Sequence, residues 1–464
     1  MRRFLVWLAA GALVGAVAPT GLAAQGYGIY EHGTCMMGRA GTGIASPCAD
    51  GSAVFYNPAG ITGSGKGVIS GGLTYIGPSG SFTNDNTGVT TESEPLTFLV
   101  PHVYWTRDLD QKYSVGFGVF APYGLTTEWD ENNFEGRFLG YHSEIQSIYL
   151  QPTFAVRVND KFRIGGGFDY SIVKVALYQR ADLSTNAVPS PNVTPGTTFG
   201  NLGVPVGTDF ADVKLKGDGS GIGFNLGAIW QATPKLSVGL KYLSQQEVYI
   251  NKADADITPV NTGIILEAGN PFGVPAGTPL DAVLAGQFTG SGALVDQTGS
   301  TKLTFPSQLV FGVAMDATPK IKILADLQWV NWEKFQTLAL QFERLPQKII
   351  VEDYENTIGI RVGGEYAINS SYTARLGYLS HGAAAPDQTV TPNLPEGPRN
   401  EFTAGLGASL GQKLHVDVAY QYIDQADRRG RTTDGGMAVP TPAVNNGLYT
   451  FSAHLIGATF TYKF

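Results

Sequence analysis

The chain has 464 residues, a formal net charge of −8, 60 glycines and only 15% charged residues, against roughly 25% in ordinary soluble proteins. Its acidity, with no basic cluster interleaved with aromatics, excludes nucleic acid as a partner. Gly, Ser, Thr, Asn and Gln stand where charges would be, so the chain must either bury polar surface or face lipid and water on alternate residues.

Residues 1–24 read as a secretory signal. Arg2 and Arg3 form the basic start, 4–18 is a short apolar run, and small residues at 21–24 allow cleavage. A retained anchor is the alternative, but nothing further along offers the roughly 20 consecutive apolar residues a spanning helix requires. The mature protein is therefore expected to be exported. Its two cysteines, Cys35 and Cys48, are expected to be bridged in an oxidising compartment. His32 adds too little for a zinc site, and no metal or cofactor is expected. At 52–62, "SAVFYNPAGIT", an Asn-Pro pair interrupts a small, apolar run. Pro58 fixes its own φ and pushes Asn57 out of the helical region, so the pair predicts a stiff corner.

From residue 66 the pattern becomes alternation of period two, the mark of strands with one apolar face. In 414–423, Leu414, Val416, Val418, Tyr420 and Tyr422 oppose His415, Asp417, Ala419 and Gln421. In 320–329, Ile321, Ile323, Ala325, Leu327 and Trp329 oppose Lys320, Lys322, Asp326 and Gln328. In 356–366, Ile358, Ile360, Val362 and Tyr366 oppose Gly359, Arg361, Gly363 and Glu365. The second face is too polar and too rich in Gly for a core. Such segments begin near 66, 97, 112, 144, 161, 209, 235, 301, 320, 356, 372, 400, 413 and 449.

Short turns are expected at 108–111, 159–160, 232–234, 317–319, 368–371 and 410–412. Long connections are expected at 77–96, 122–143, 179–208, 252–300, 336–355, 381–399 and 424–448. An even number of strands, with turns on one rim and loops on the other, predicts an all-β membrane protein: a closed antiparallel transmembrane barrel of the outer-membrane type. Hydrocarbon forces closure, because an open edge would leave backbone groups unpaired. The last strand ends on Phe460, Tyr462 and Phe464, an aromatic band suited to a membrane interface. A large soluble β protein, a propeller or a β-helix, is the rival fold, but no repeat of a propeller's length is present.

Two segments carry more than spacing. Gly116, Gly118 and Pro122 in "YSVGFGVFAPYG" are expected to weaken or end pairing in the third strand; relief of crowding is the other reading of the glycines. In the 252–300 loop, Thr278 is expected to cap a helix with Pro279 at its first position. Its apolar face would comprise Leu280, Val283, Leu284 and Phe288, with Ile264, Ile265, Leu266 and Phe272 nearby. That face would either pack on neighbouring loops or capture a ligand.

The segment 38–62, with its Gly38-Arg39-Ala40 run and Asn57-Pro58-Ala59 motif, resembles the N-terminal plug of the FadL/TodX family of outer-membrane transporters for long-chain fatty acids and other hydrophobic compounds. Further matches are "APYGLTTEW" (121–129), "DLQWVNWEKFQTL" (326–338), "RLGYLSHGAAAPDQTVTPNLPEG" (375–397) and "LHVDVAYQYI" (414–423), so the resemblance spans nearly the whole mature chain. It implies a 14-stranded barrel at 66–464, plugged by a hatch at 25–65. Cargo, a fatty acid or a hydrocarbon, would be captured by loops, held in a lumenal pocket near the hatch and released sideways into outer-membrane lipid beside a kinked third strand. Tyr27 would reach the pocket. The family's carboxylate-binding positions do not align with certainty. Alternation turns Lys241, Arg361 and Arg375 into the lumen, where they either bind a carboxylate or form ion pairs that stiffen the wall.

The rival classes are an aromatic or alkane hydrocarbon channel, a diffusion porin, and an outer-membrane enzyme of the lipase or protease type. No Gly-x-Ser-x-Gly elbow is present, and His142 beside Glu144 lacks a nucleophile. A porin would lack the hatch. The expected protein is a monomeric transporter and not an enzyme.

Overall fold

The computed structural model describes residues 26–430, 433–434, 437–438 and 446–464. The expected signal (1–24) and residue 25 lie outside them, as does most of the tip of the last long loop. Fourteen antiparallel walls close into a barrel. They are β1 (Val68–Asn84), β2 (Phe98–Asp108), β3 (Tyr113–Phe120, then Gly124–Glu128), β4 (His142–Arg157), β5 (Phe162–Asp182), β6 (Asp209–Thr233) and β7 (Leu236–Leu243, then Gln246–Pro259). There follow β8 (Gln297–Phe305, then Gln308–Asp316), β9 (Ile321–Val330, then Thr337–Phe342), β10 (Lys348–Val351, then Thr357–Ala367), β11 (Tyr372–His381), β12 (Arg399–Leu410), β13 (Leu414–Arg429) and β14 (Gly447–Lys463). Pairing of β1 with β14 along its whole length, from Val68↔Lys463 to Asn84↔Gly447, closes the ring.

The alternation has its physical counterpart in exposure. Val418, Tyr420, Ile323, Leu327, Ile360, Val362, Phe460, Tyr462 and Phe464 are exposed on the outer face, whereas Asp417, Gln421, Asp326, Gln328 and Arg361 are buried inside. Lipid is the solvent of the first set, so these apolar side chains are outside in rather than misplaced.

Every expected strand start lies within a few residues of a wall, except that β10 starts at Lys348. Strand ends differ more. β1, β5, β7 and β13 run well into the expected long connections. The 122–143 connection contains the outer half of β3, and 336–355 contains paired segments of β9 and β10. In these extensions the outward residues turn polar, as Lys252, Asp254 and Asp256 do on β7 and Asp424 and Arg429 on β13, while Ala253, Ala255 and Ile257 stay buried; the apolar outward alternation fades while the backbone ladder continues.

Residues 26–67 precede β1, and those up to 62 lie inside the barrel, most of them buried. They form two single-turn helices, α1 (Thr34–Met37) and α2 (Ala53–Tyr56), and a 3-10 turn, Pro58–Ile61. Cys35 and Cys48 are disulfide-bonded, with Cα atoms 6.4 Å apart. Asn57 has extended backbone and caps the 3-10 turn, its Oδ1 accepting from the Ala59 N–H at 3.2 Å. Its Nδ2 donates to the carbonyls of Ile44 (2.6 Å), Ala228 (3.1 Å) and Leu240 (3.3 Å), joining the segment to β6 and β7. The contact depends on Gly227: a Cβ there would collide with Asn57 Oδ1. Gly38 and Gly405 on β12 likewise meet backbone to backbone.

The wall supplies matching polar groups. Gln151 and Asn225 donate to the carbonyls of Val54 and Phe55, and Asp326 accepts from the N–H groups of Gly43 and Ile44. Such buried partners satisfy a segment with little regular structure of its own.

One prediction concerns the disulfide. A closed loop of this size contributes about 3 kcal/mol in the chain-entropy model. A Cys35→Ser, Cys48→Ser variant should keep a heat-resistant barrel while residues 26–65 become cleavable by added protease. Equal protease resistance in both proteins would remove the staple role.

Candidate functional site

The strand break in β3 shapes the site. Its inner segment pairs regularly with β2 from Asp108↔Ser114 to Val103↔Val119, straight through Gly116 and Gly118. Those glycines therefore do not weaken pairing; of the two readings the sequence allows, relief of crowding fits. A Cβ at either would press on Val54 of the interior segment, so they make room for it. The break comes at 121–123, around Pro122, which lacks an N–H. Against β4 the register shifts there by one residue, from Phe120↔Tyr149 to Gly124↔Gln146. Beyond it β2 and β3 part, and residues 98–102 of β2 keep only β1 as a neighbour.

Residues 27–29 take the vacated place. Ile29 N–H donates to Pro122 O at 2.8 Å, Gly124 N–H donates to Tyr27 O at 3.0 Å, and Gly28 bridges Tyr123. Tyr123 meanwhile turns its own N–H and C=O to Ser147 of β4. Residues 27–29 thus complete the edge that β2 leaves.

Two cavities meet at this point. The larger, of about 480 Å³, crosses the wall: the exposed Leu99 and Ile148 line its outer end, and Ile29, Leu125, Leu394 and Phe451 its inner side. A smaller pocket of about 90 Å³ lies in the lumen, lined by Tyr27, Leu215, Leu303, Phe335 and Tyr354, with Glu144 and Glu352 among its described lining. Leu125, Ile145 and Leu394 belong to both.

Tyr27 lines the smaller pocket. Its ring stands edge-on to Tyr123, Phe305, Trp332 and Phe335, at 4.9 Å from Trp332, where the breaks of β3, β8 and β9 converge. Burial holds its phenol protonated, and it donates to Thr304 O at 3.0 Å. Glu396 fixes the third side: its buried carboxylate accepts from the N–H groups of Ala384, Ala385 and Gly26, placing Leu394 nearby.

Burial shifts several ionisable groups of the interior segment toward their neutral forms. Burial pulls the His32 imidazole down to about 3, and its Nε2 lies 2.8 Å from Ile29 O. Burial raises the Asp50 carboxyl, against the pull of hydrogen bonds from Ser52. Burial and the neighbouring Glu401 raise Glu31, which Gln421 bridges to Glu401.

The three cations assigned to the lumen are buried there, but none lines either cavity. Arg375 pairs with Glu365 at 2.9 Å and Asp417 at 2.6 Å, and Arg39 of the interior segment joins Glu365 at 3.1 Å. Arg361 stacks on the Tyr30 ring at 4.3 Å and donates to Gln328. Lys241 Nζ sits 3.7 Å from the Phe55 ring centroid. All three meet the interior segment or its ion pairs.

The loop helix also departs from expectation. It spans Leu280–Leu284, with Pro279, in extended backbone, as its N-cap instead of its first residue; Thr278 turns its hydroxyl to Pro275 O. Asp281 instead accepts from Thr262. Leu280 and Leu284, with Ile264, Leu266, Phe272, Val283 and Phe288 against them, pack with Leu183 and Phe199 of the preceding loop and Phe210 at the start of β6. Periodicity found this apolar face, but only the fold shows what covers it. Sequence reasoning missed Leu125, Ile145, Leu394 and Glu396; the "NLPEG" match held the last two without indicating their role.

Comparison with known proteins agrees with this architecture. The chain is 24% identical over 450 residues to a long-chain fatty acid transport protein of Escherichia coli O6:H1, covering 95% of this chain and 94% of the relative. It is 24% identical over 465 residues to a 47 kDa outer membrane protein of Pasteurella multocida, covering 100% and 99%. The fold matches a Pseudomonas aeruginosa FadL homologue with TM-score 0.80, at 20% identity over 95% of this chain and 100% of the other. It also matches the Ralstonia pickettii toluene transporter TbuX, with TM-score 0.63 at 16% identity over 94% and 100%. The model of the outer membrane protein transport family (OMPP1/FadL/TodX) matches residues 15–464, and the chain is a member of that family, an outer-membrane β-barrel.

Proposed function

We propose that this protein carries hydrophobic molecules passively across the outer membrane, most directly long-chain fatty acids, and releases them sideways through the gap between β2 and β3. The supporting observation is the sharing of Leu125, Ile145 and Leu394 by the lumenal pocket and the wall cavity. An apolar molecule leaving the pocket meets apolar side chains as far as Leu99 and Ile148 on the lipid face. Its transfer needs no energy source, because each step exchanges one apolar contact for another. The relatives named as long-chain fatty acid transport proteins support the cargo class.

On this reading residues 25–65 are the hatch and 66–464 the barrel. Gly38, Arg39, Asn57, Pro58 and Ala59 hold the hatch against the walls, and Tyr27 closes the pocket. Arg361, Arg375 and Lys241 secure the hatch rather than cargo. The packed loop face around Leu284 and Phe288 shapes the outer entrance. No catalytic step is involved, and the working unit is a monomer. Neutral hydrocarbon is the second reading, favoured by Glu144 and Glu352 in the pocket lining, which oppose a carboxylate there.

Deleting the gene should slow uptake of labelled fatty acid or hydrocarbon and leave small-sugar permeation unchanged. Unchanged uptake of every hydrophobe tested would reject the transport reading.

Replacing Asn57 and Pro58 with Ala removes three carbonyl contacts and a pre-set φ, a loss of about 1 kcal/mol per hydrogen bond. The closed ladder should keep the barrel intact, with hydrophobe uptake falling several-fold per folded molecule. Wild-type uptake from a normal barrel would show that the corner does not control the hatch.

A further inference from the structure

Among the described lining of the wall cavity, Arg399 is the one charged residue. It opens β12 on the inward face, two residues before the buried Glu401. Its Nε donates to Gln425 Oε1 at 3.0 Å, and its guanidinium carbon lies 5.4 Å from the Phe451 ring centroid. No carboxylate of the described residues reaches it within ion-pair distance, although Glu401 follows on the same face. The Glu401 oxygens are taken by His381 at 3.0 Å and Gln421 at 2.6 Å. The buried arginines of the described residues differ: Arg375 and Arg39 are ion-paired, Arg180 meets Asp212, Arg428 meets Asp387, and Arg361 is stacked and hydrogen-bonded.

We infer that Arg399 receives the carboxylate of a long-chain acid inside the wall cavity, with the acid's hydrocarbon tail lying between β2 and β3. This rests on the transport reading, which puts the wall cavity on the cargo path. Gln425 and Phe451 hold the guanidinium from one edge and one face, leaving both terminal amino groups for a carboxylate. Two parallel N–H donors match its two oxygens, and the charge strengthens each bond. The apolar lining, from Ile29 and Leu125 out to Leu99, suits the tail. The acids of the smaller pocket add direction: a carboxylate is disfavoured beside Glu144 and Glu352 and favoured at Arg399. Head-group position thereby selects the cavity that opens toward lipid.

The test compares binding of labelled palmitate and its methyl ester to the purified full-length protein in detergent. The wild type should bind palmitate more tightly than the ester, and the preference should vanish as falling pH protonates the carboxyl. Arg399→Gln should weaken palmitate about tenfold and leave the ester unchanged, with Arg399→Lys restoring part of the loss. Equal losses for acid and ester, or unchanged palmitate affinity in a heat-resistant Arg399→Gln barrel, would overturn the assignment. Absence of any acid preference in the wild type would overturn it without recourse to a variant. A wild type that binds neither molecule would instead reject the transport reading itself, and this assignment with it.

Discussion

Hydrocarbon offers the backbone no hydrogen-bonding partner, so each wall of a membrane barrel needs a neighbour on both edges. The β1–β14 ladder meets that demand over seventeen residue pairs and turns a curled sheet into a ring. The demand is relaxed beside the outer part of β2, where β3 turns away at Pro122. There residues 27–29 provide the missing edge for β3 from within the lumen. An opening through the wall and the seating of the N-terminal segment are therefore one structural problem, solved by the same few hydrogen bonds.

The lumen divides its contacts by chemistry. Charged groups gather where the interior segment meets β10, β11 and β13, through Arg39, Glu365, Arg375 and Asp417. Such pairs lie in a partly buried setting, where breaking one partner is costly even though the intact pair adds little net stability. Aromatic groups gather at the breaks of β3, β8 and β9 around Tyr27. The first set fixes position, and the second leaves an apolar surface beside the gap. Neutral His32 fits the same division, since a buried unpaired imidazolium near the aromatic set would be expensive.

Strand number, direction of facing and rim asymmetry were all legible in the sequence. Two-residue alternation survives wherever one face meets lipid, so Val418 and Tyr420 point outward and Asp417 and Gln421 inward as read. Strand ends were not legible, because β7 and β13 continue with polar residues such as Asp254 and Asp424 on the outward face, where the apolar alternation stops. Relief of crowding was one of two readings open for Gly116 and Gly118, but not what crowds them, because Val54 is distant in sequence. Lys241, Arg361 and Arg375 were readable as inward-facing. Their partners were not, because alternation gives a residue's side but not what crosses the lumen to meet it.

Composition and alternation determined the class of molecule, an outer-membrane barrel, and the resemblance at 38–62 implied a separate N-terminal segment. These are properties of local pattern and of the solvent on each face, and a chain carries them before it folds. The Asn57-Pro58 corner was equally local in its backbone, since proline restricts the preceding residue wherever it stands. Tertiary structure alone decided that Asn57 would donate to Ala228 and Leu240, that residues 27–29 would stand in for β2, and that Leu125, Ile145 and Leu394 would join two cavities. Each of these depends on chain segments far apart in sequence arriving at one depth in the barrel. Barrel closure sets that depth through the register of every wall at once, and no single segment encodes it.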